Sequence, residues 1–186
     1  MGDRELVQIV DAAMAEAARK SGAWLVCRPG CYSCCLGLFP ISQLDAARLQ
    51  QGLVELATTD PERAARVRQR AQVAADQMSG VSVHALLDSD HYDEDPCPAL
   101  DPEAGTCDLY ASRPITCRTF GPPVRCGSES VGVCELCFDG ASDEEIAACE
   151  VDVDPDGVES ELVRELEGKT GERGNTIVAF ALLEKA

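Results

Sequence analysis

The stretch Cys27-Arg-Pro-Gly-Cys31-Tyr-Ser-Cys34-Cys35 carries four thiols in nine residues. Pro29 and Gly30 sit inside it, and Gly37 and Pro40 follow, so residues 27 to 41 read as turn and loop, not as helix or strand. Soft thiolate sulfur suits zinc, copper(I) and iron–sulfur centres. A short loop through Pro and Gly lets a chain curl and aim several sulfurs at one point. The vicinal pair Cys34-Cys35 adds a constraint. Neighbouring side chains diverge, so the two sulfurs suit one tetrahedral ion poorly: they reach two metal atoms, or one ligates and the other packs. A purely structural role, as buried or disulfide-bonded thiols, fits such density poorly.

Outward from this loop the pattern turns helical. Upstream, Leu6, Ile9, Val10, Ala13 and Ala17 recur near helical spacing, with no Pro and no Gly between Asp3 and Gly22, which predicts a helix over 3–21. Ala23-Trp24-Leu25-Val26 then reads as a strand or extended lead-in. Downstream, Ser42-Gln-Leu-Asp45 has the form of a capping box and predicts a helix over about 43–57. Asp60-Pro61 opens the next, an N-cap followed by Pro at the first helical position, with Ala64, Val67, Ala71 and Met78 on one face, arginines opposite, and an end near Gly80. Residues 81–141 are irregular. A stretch of that length without regular elements needs a staple. Ser142-Asp-Glu-Glu145 starts a helix toward Cys149, Asp154-Pro155 starts another through Leu166, and Asn175-Thr176 reads as the cap of a last one over 177–185, with a strand over Ile177-Val-Ala-Phe180 as the alternative. The expected fold is mainly α, with helices bracketing two irregular cysteine-rich segments joined by a metal centre. One domain over 1–186 is expected.

The bulk numbers set the class. Hydrophobic residues at 45% and charged residues at 26% describe an ordinary globular chain. Aromatics are only 4%, so the core must be Ala, Leu and Val, with cysteine chemistry adding rigidity. Eleven Cys is an odd count, which intramolecular disulfides cannot exhaust. The start, Met1-Gly-Asp-Arg-Glu, lacks the form of a secretory signal. No apolar run approaches the ~18 residues of a membrane span. A cytoplasmic setting is expected, in which clustered thiols act as metal ligands or redox groups. The net charge of −17 argues against a nucleic-acid or anionic-membrane partner.

The second segment runs Cys97-Pro-Ala-Leu, then Gly105-Thr-Cys107-Asp-Leu-Tyr110-Ala-Ser-Arg113-Pro114-Ile-Thr-Cys117-Arg118-Thr-Phe120. Its three Cys recur ten residues apart. Together, the run ending Cys31-x2-Cys34-Cys35 and the Cys97–Phe120 block resemble the YkgJ-type cysteine-cluster family, a zinc- or iron-chelating domain with a CxxCxxCC motif. The resemblance spans 27–121, leaving 122–186 as a C-terminal extension. It implies chelation of zinc or iron, with an iron–sulfur cluster as one form. Its ligands would be Cys31, Cys34, Cys35, Cys97, Cys107 and Cys117, joined by Cys27, whose Cys-x3-Cys gap departs from the motif by one residue. Arg113 and Arg118 flank Cys117 and could offset thiolate charge. Tyr110 and Phe120 read as packing residues.

Cys126, Cys134, Cys137 and Cys149 remain. Cys134-Glu-Leu-Cys137 is half of a zinc knuckle, and the four could form a second, structural site or else complete the first. Other patterns fail. Cys27-x3-Cys31-x2-Cys34 has the spacing of radical enzymes that use S-adenosylmethionine, but the chain is too short for their barrel. Gly168-Lys169-Thr170 lacks the first Gly of a phosphate loop, Val163 standing in its place. The acidic run Asp88–Asp95 lacks the Gly and closing Glu of a calcium loop. His84 and His91 read as polar loop residues. Cys31-Tyr-Ser-Cys34 as a redox pair is weakened by the adjacent Cys35. The chain is therefore expected to bind a metal ion through cysteine thiolates, with no nucleic-acid or membrane partner and no protein partner legible. An iron–sulfur redox or methyl-transfer enzyme and a metal-transfer or interaction protein are the alternatives. No catalytic residue is identifiable.

Overall fold

Three short polar side chains start helices as the sequence predicts. Ser42 accepts the N–H of Asp45, and Asp60 accepts the N–H of Arg63. Ser142 and Glu145 exchange both bonds of a capping box. In this computed structural model, which describes residues 2–126, 129–131 and 133–183, the chain is mainly helical. The helices are α1 (Asp3–Ser21), α2 (Gln43–Thr59), α3 (Pro61–Gln77), α4 (Val83–Leu87), α5 (Ile115–Arg118), α6 (Asp143–Cys149), α7 (Val158–Thr170) and α8 (Val178–Ala181). The strands are β1 (Leu100–Asp101), β2 (Thr106–Cys107), β3 (Val124–Cys126), β4 (Glu129–Val131) and β5 (Val151–Asp152). No helix among the described residues is long and apolar enough to cross a membrane.

The chain divides into two compact units, and the boundary between Arg28 and Pro29 falls inside the first cysteine run. One unit comprises Met1–Arg28 and Ile115–Lys169. Here Leu6, Val10 and Ala17 of α1 are fully buried. Ala17 meets Val124 of β3 and Val153 after β5. The sheet runs β4-β3-β5, antiparallel on one side of β3 and parallel on the other. Arg125 braces it through ion pairs to Glu150 and Asp152.

The other unit comprises Pro29–Pro114 and Thr170–Ala186. Its core is a three-helix arrangement in which Leu49 and Leu53 of α2, Ala64, Val67 and Ala71 of α3, and Val178, Ala181 and Leu182 interlock. Small residues on α3 let the helices approach closely, which suits a chain poor in aromatics. Partly buried Cys97 and Cys107 pack directly against this core.

Of the two readings of residues 23–26, the extended lead-in holds in part: a 3-10 turn over Gly22–Trp24 leads into extended chain. Two predicted boundaries need correction. The helix expected after Asp154-Pro155 begins at Val158, because the Asp154 carboxylate reaches past the Gly157 turn to accept the N–H groups of Val158 and Glu159. Thr176 does not cap the last helix. It is extended and exchanges both backbone bonds with Ile41, at 2.9 Å each, and Ile177 takes the N-cap position without a side-chain bond. Residues 184 and 185, predicted to end that helix, lie outside the described residues.

Candidate metal centre

The second unit assembles its thiols by backbone pairing. Ser33–Cys35 form one 3-10 turn, closed by the Cys35 N–H on the Tyr32 carbonyl at 2.7 Å. The chain then runs antiparallel to residues 95–97. The Cys97 N–H donates to the Cys35 carbonyl at 2.7 Å, Leu36 bridges Pro96, and the Gly37 N–H donates to the Asp95 carbonyl at 2.9 Å. Gly37 is required there: its φ is +82°, and a Cβ would lie 3.1 Å from the Asp93 carbonyl oxygen. Past Cys97, the Leu100 N–H returns to the Cys97 carbonyl, and β1 pairs β2 with Leu100 opposite Cys107. Two short ladders therefore carry Cys35, Cys97 and Cys107 onto one region over the helical core.

The electrostatics follow from that placement. Cys34 and Cys35 share a side-chain hydrogen bond in which the Cys35 thiol donates to the Cys34 sulfur. This bond, helped by a backbone contact and the positive charge of Arg113, lowers the Cys34 pKa to about 6. Cys35 is pushed far up by giving its proton to that bond, by burial, and by the negative charge of Cys34, Cys97 and Cys107. Burial raises Cys97 to about 12 and also raises Cys107, against the opposing influence of Arg70 on the first and of Arg113 and Arg63 on the second. Cys35 thus has Cys34, Cys97 and Cys107 as electrostatic neighbours, and Cys97 has Cys107, each opposing ionisation of the thiol it faces. Cys31 lies in the same unit, half-buried.

An ionic strut fixes this region to α3. Asp108, buried beside Cys107, pairs with both Arg63 and Arg70, and Arg70 also donates to the Pro98 carbonyl at 2.8 Å. The sequence reading assigned the α3 arginines to the face opposite the core. Arg63 and Arg70, seven residues apart, instead form a stripe that grips the Cys97–Asp108 segment. Nothing local in the sequence marks Asp108 as their partner. Arg113 stacks over Tyr110, with its guanidinium carbon 3.9 Å from the ring centre. Tyr110 and Phe120, expected to pack, are 63% and 39% exposed.

The remaining candidate ligands lie in the first unit. Cys27 is exposed, and its Sγ faces Gly121, where a Cβ would come within 3.1 Å. The Gly121 carbonyl accepts the Cys134 N–H. Cys137 closes its turn on the Cys134 carbonyl at 2.8 Å, and the Phe138 N–H donates to Trp24. Cys134, Cys137 and Cys149 share one apolar cluster with Trp24 and Phe138, whose rings stack. The Cys149 thiol points to the Lys20 carbonyl at 3.4 Å. Cys117 lies on α5, and exposed Cys126 ends β3. Arg118 is buried and ion-paired to Asp11 of α1 at 2.8 Å. His84 pairs with Asp88, and His91 packs edge-on to Tyr92.

Among the described residues no disulfide joins any cysteines, and no group of three or more His, Cys, Asp or Glu side chains is arranged to hold an ion as it stands. The donor chemistry of the second unit nevertheless suits a soft cation: Cys34, Cys97 and Cys107 all oppose ionisation of Cys35, and Cys107 opposes that of Cys97, a penalty that a divalent ion would reverse. A family model for the CxxCxxCC domain, described as "Putative zinc- or iron-chelating domain", matches residues 26–137, well over half of the chain. No curated protein and no solved structure shows a significant match.

Proposed function

The chain belongs to the CxxCxxCC zinc- or iron-chelating domain family, and from that premise we propose that it chelates zinc or iron through Cys34, Cys35, Cys97 and Cys107, with Cys31 within reach of the same loop. What carries this reading is the convergence of Cys34, Cys97 and Cys107 on Cys35 as electrostatic neighbours, in segments that two backbone ladders bring to one region. A cation there turns repulsion into attraction and deprotonates the thiols outright. Because the side chains do not converge as they stand, binding rotates them about χ1 on a backbone that is already paired. Arg63, Arg70 and Arg113 offset the negative charge left by several thiolates around a divalent ion. When bound, zinc would supply a closed structural centre, and iron with sulfide would supply a redox centre.

Anaerobic purification followed by elemental analysis is the direct test. About one equivalent of zinc or iron per chain is expected for a resident centre. Cys34→Ala combined with Cys97→Ala should abolish retention. Metal content unchanged in that double variant, or below a tenth of an equivalent in the parent protein, overturns the proposal. The absorption spectrum separates the metals: a broad band near ~400 nm marks an iron–sulfur centre, and a featureless visible region marks zinc.

A further inference from the structure

A cleft of about 420 Å³ opens in the second unit, next to the thiols but outside the proposed ligand set except for one wall at Cys97. That volume lies within the ~300–1,000 Å³ range of small-molecule sites. Its lining is largely apolar, from Phe39, Val73 of α3, Leu100 of β1 and Ile177. Val73 is 53% exposed, an apolar side chain left open at the mouth. Two charged residues also line the cleft, Arg70 and Asp95. They are not equivalent. Arg70 is engaged by the Asp108 carboxylate at 2.5 Å and the Pro98 carbonyl at 2.8 Å. Asp95 is half-buried, and its carboxylate has neither ion pair nor side-chain hydrogen bond among the described residues. Its backbone is spoken for, donating to Tyr92 and accepting from Gly37, so the residue is held at the cleft wall.

The Asp95 carboxylate is not sealed from solvent, so a ligand in the cleft that carries a donor can reach it without breaking an existing protein contact. From this pairing of an apolar cavity with one uncompensated anion, we infer that the cleft is a binding site for a small amphiphilic organic ammonium. Its apolar body would fill the space between Phe39, Val73 and Ile177, and its cationic head would pair with Asp95. The strongly acidic chain, at −17, favours the same sign of ligand at long range. The inference stands on the cleft and on Asp95 alone, so loss of the metal reading would leave it intact.

Isothermal titration of the full chain, as purified, with 4-phenylbutylammonium, 4-phenylbutanol and 4-phenylbutanoate tests it. The three probes share one apolar body and differ in head-group charge. The ammonium should bind at one saturable site, about tenfold tighter than the alcohol, since a charged hydrogen bond outweighs a neutral one. The carboxylate should bind weakest. Asp95→Asn should bring the ammonium down to the level of the alcohol and leave the alcohol unchanged. Val73→Trp, which fills the mouth, should remove binding of all three. Absent ammonium binding, equal binding of all three probes, tighter binding of the carboxylate, or an ammonium preference that survives Asp95→Asn would each overturn the assignment. Should Val73→Trp fail to fold, Asp95→Asn, a near-isosteric change at a wall position, decides the question alone.

Discussion

The sulfur of Cys34 is easier to ionise than an ordinary thiol, and its neighbour is the reason. Cys35 donates to it, and Arg113 adds positive charge, so the folded pKa falls to about 6. A depressed thiol pKa means that the thiolate is present above about pH 6 and is lost as the pH falls through that value. In metal-free protein, alkylation by iodoacetamide followed site by site by mass spectrometry should therefore label Cys34 first at pH 7, with a rate that drops below pH 6. Cys97, held near 12 by burial, should stay unlabelled under the same conditions. Cys35→Ala removes the donor and should move the Cys34 midpoint up by about one to two units, whereas Arg113→Gln should move it less. An unchanged Cys34 profile in Cys35→Ala would show that the vicinal hydrogen bond does not set its acidity. Asp108 gives a second test at this scale. It is buried while Arg63 and Arg70 keep about a third or less of their side-chain surface exposed. Asp108→Ala should cost about 2–3 kcal/mol in denaturant unfolding, less than a fully buried pair because both arginines can reach water. A loss below half a kcal/mol would assign the fastening of the Cys97–Asp108 segment to apolar contacts instead.

At the scale of elements, local signals were read well where one side chain determines a backbone start. Ser42, Asp60 and Ser142 each accept the N–H that their position predicts. Apart from the late start of α7, which Asp154 sets locally, the readings that failed depended on partners far along the chain. Thr176 looks like a cap until Ile41, distant in sequence, claims its backbone. The α3 arginines look solvated until Asp108 arrives beneath them. Strands of two or three residues carry too little alternation to be seen, yet β1 and β2 are what bring Cys107 back toward Cys97. Gly52 is a further case, since a helical glycine normally reads as a weak spot. On α2 it is a contact: a Cβ there would stand 2.2 Å from the Ser112 Oγ and 2.4 Å from its Cβ, in the 3-10 turn Tyr110–Ser112 that precedes Arg113. Gly52→Ala gains helix propensity worth ~1 kcal/mol but overpacks this junction at a cost of about 1–3 kcal/mol. A net loss of stability is expected, and Ser112→Gly in the same chain should recover part of it. Thermal melts of both single variants and the double variant close that cycle, and a Gly52→Ala protein more stable than the parent would show that the junction yields.

At the scale of the whole molecule, the sequence pointed correctly to a mainly helical chain and to a cysteine-rich region, and it grouped Cys27, Cys31, Cys34, Cys35, Cys97, Cys107 and Cys117 in one site with Cys126, Cys134, Cys137 and Cys149 as a second. The fold sorts them differently. Cys31, Cys34, Cys35, Cys97 and Cys107 belong to one unit, while Cys27, Cys117, Cys126, Cys134, Cys137 and Cys149 belong to the other. The boundary after Arg28 splits a nine-residue run that reads as continuous, and no local composition marks it, because membership depends on which distant segment each half pairs with. Leu25 and Cys27 meet Gly121 in one unit, and Cys35 meets Cys97 in the other. This sorting makes metal removal informative. If the ion is held by the second unit, stripping it with a chelator should raise amide hydrogen exchange most strongly over residues 31–37 and 95–107, where short ladders have little other support. The α2–α3–α8 core should change less, since its burial does not depend on the centre. Helix α1 in the first unit should keep its protection. The unfolding temperature should fall with it, because a ligand that binds only the folded state stabilises by mass action, about 4 kcal/mol at a thousandfold excess over Kd. Exchange that rises instead around Cys134–Cys149, with 31–37 and 95–107 unchanged, would move the metal to the thiols of the first unit and leave Cys34 and Cys35 as a reactive pair without an ion.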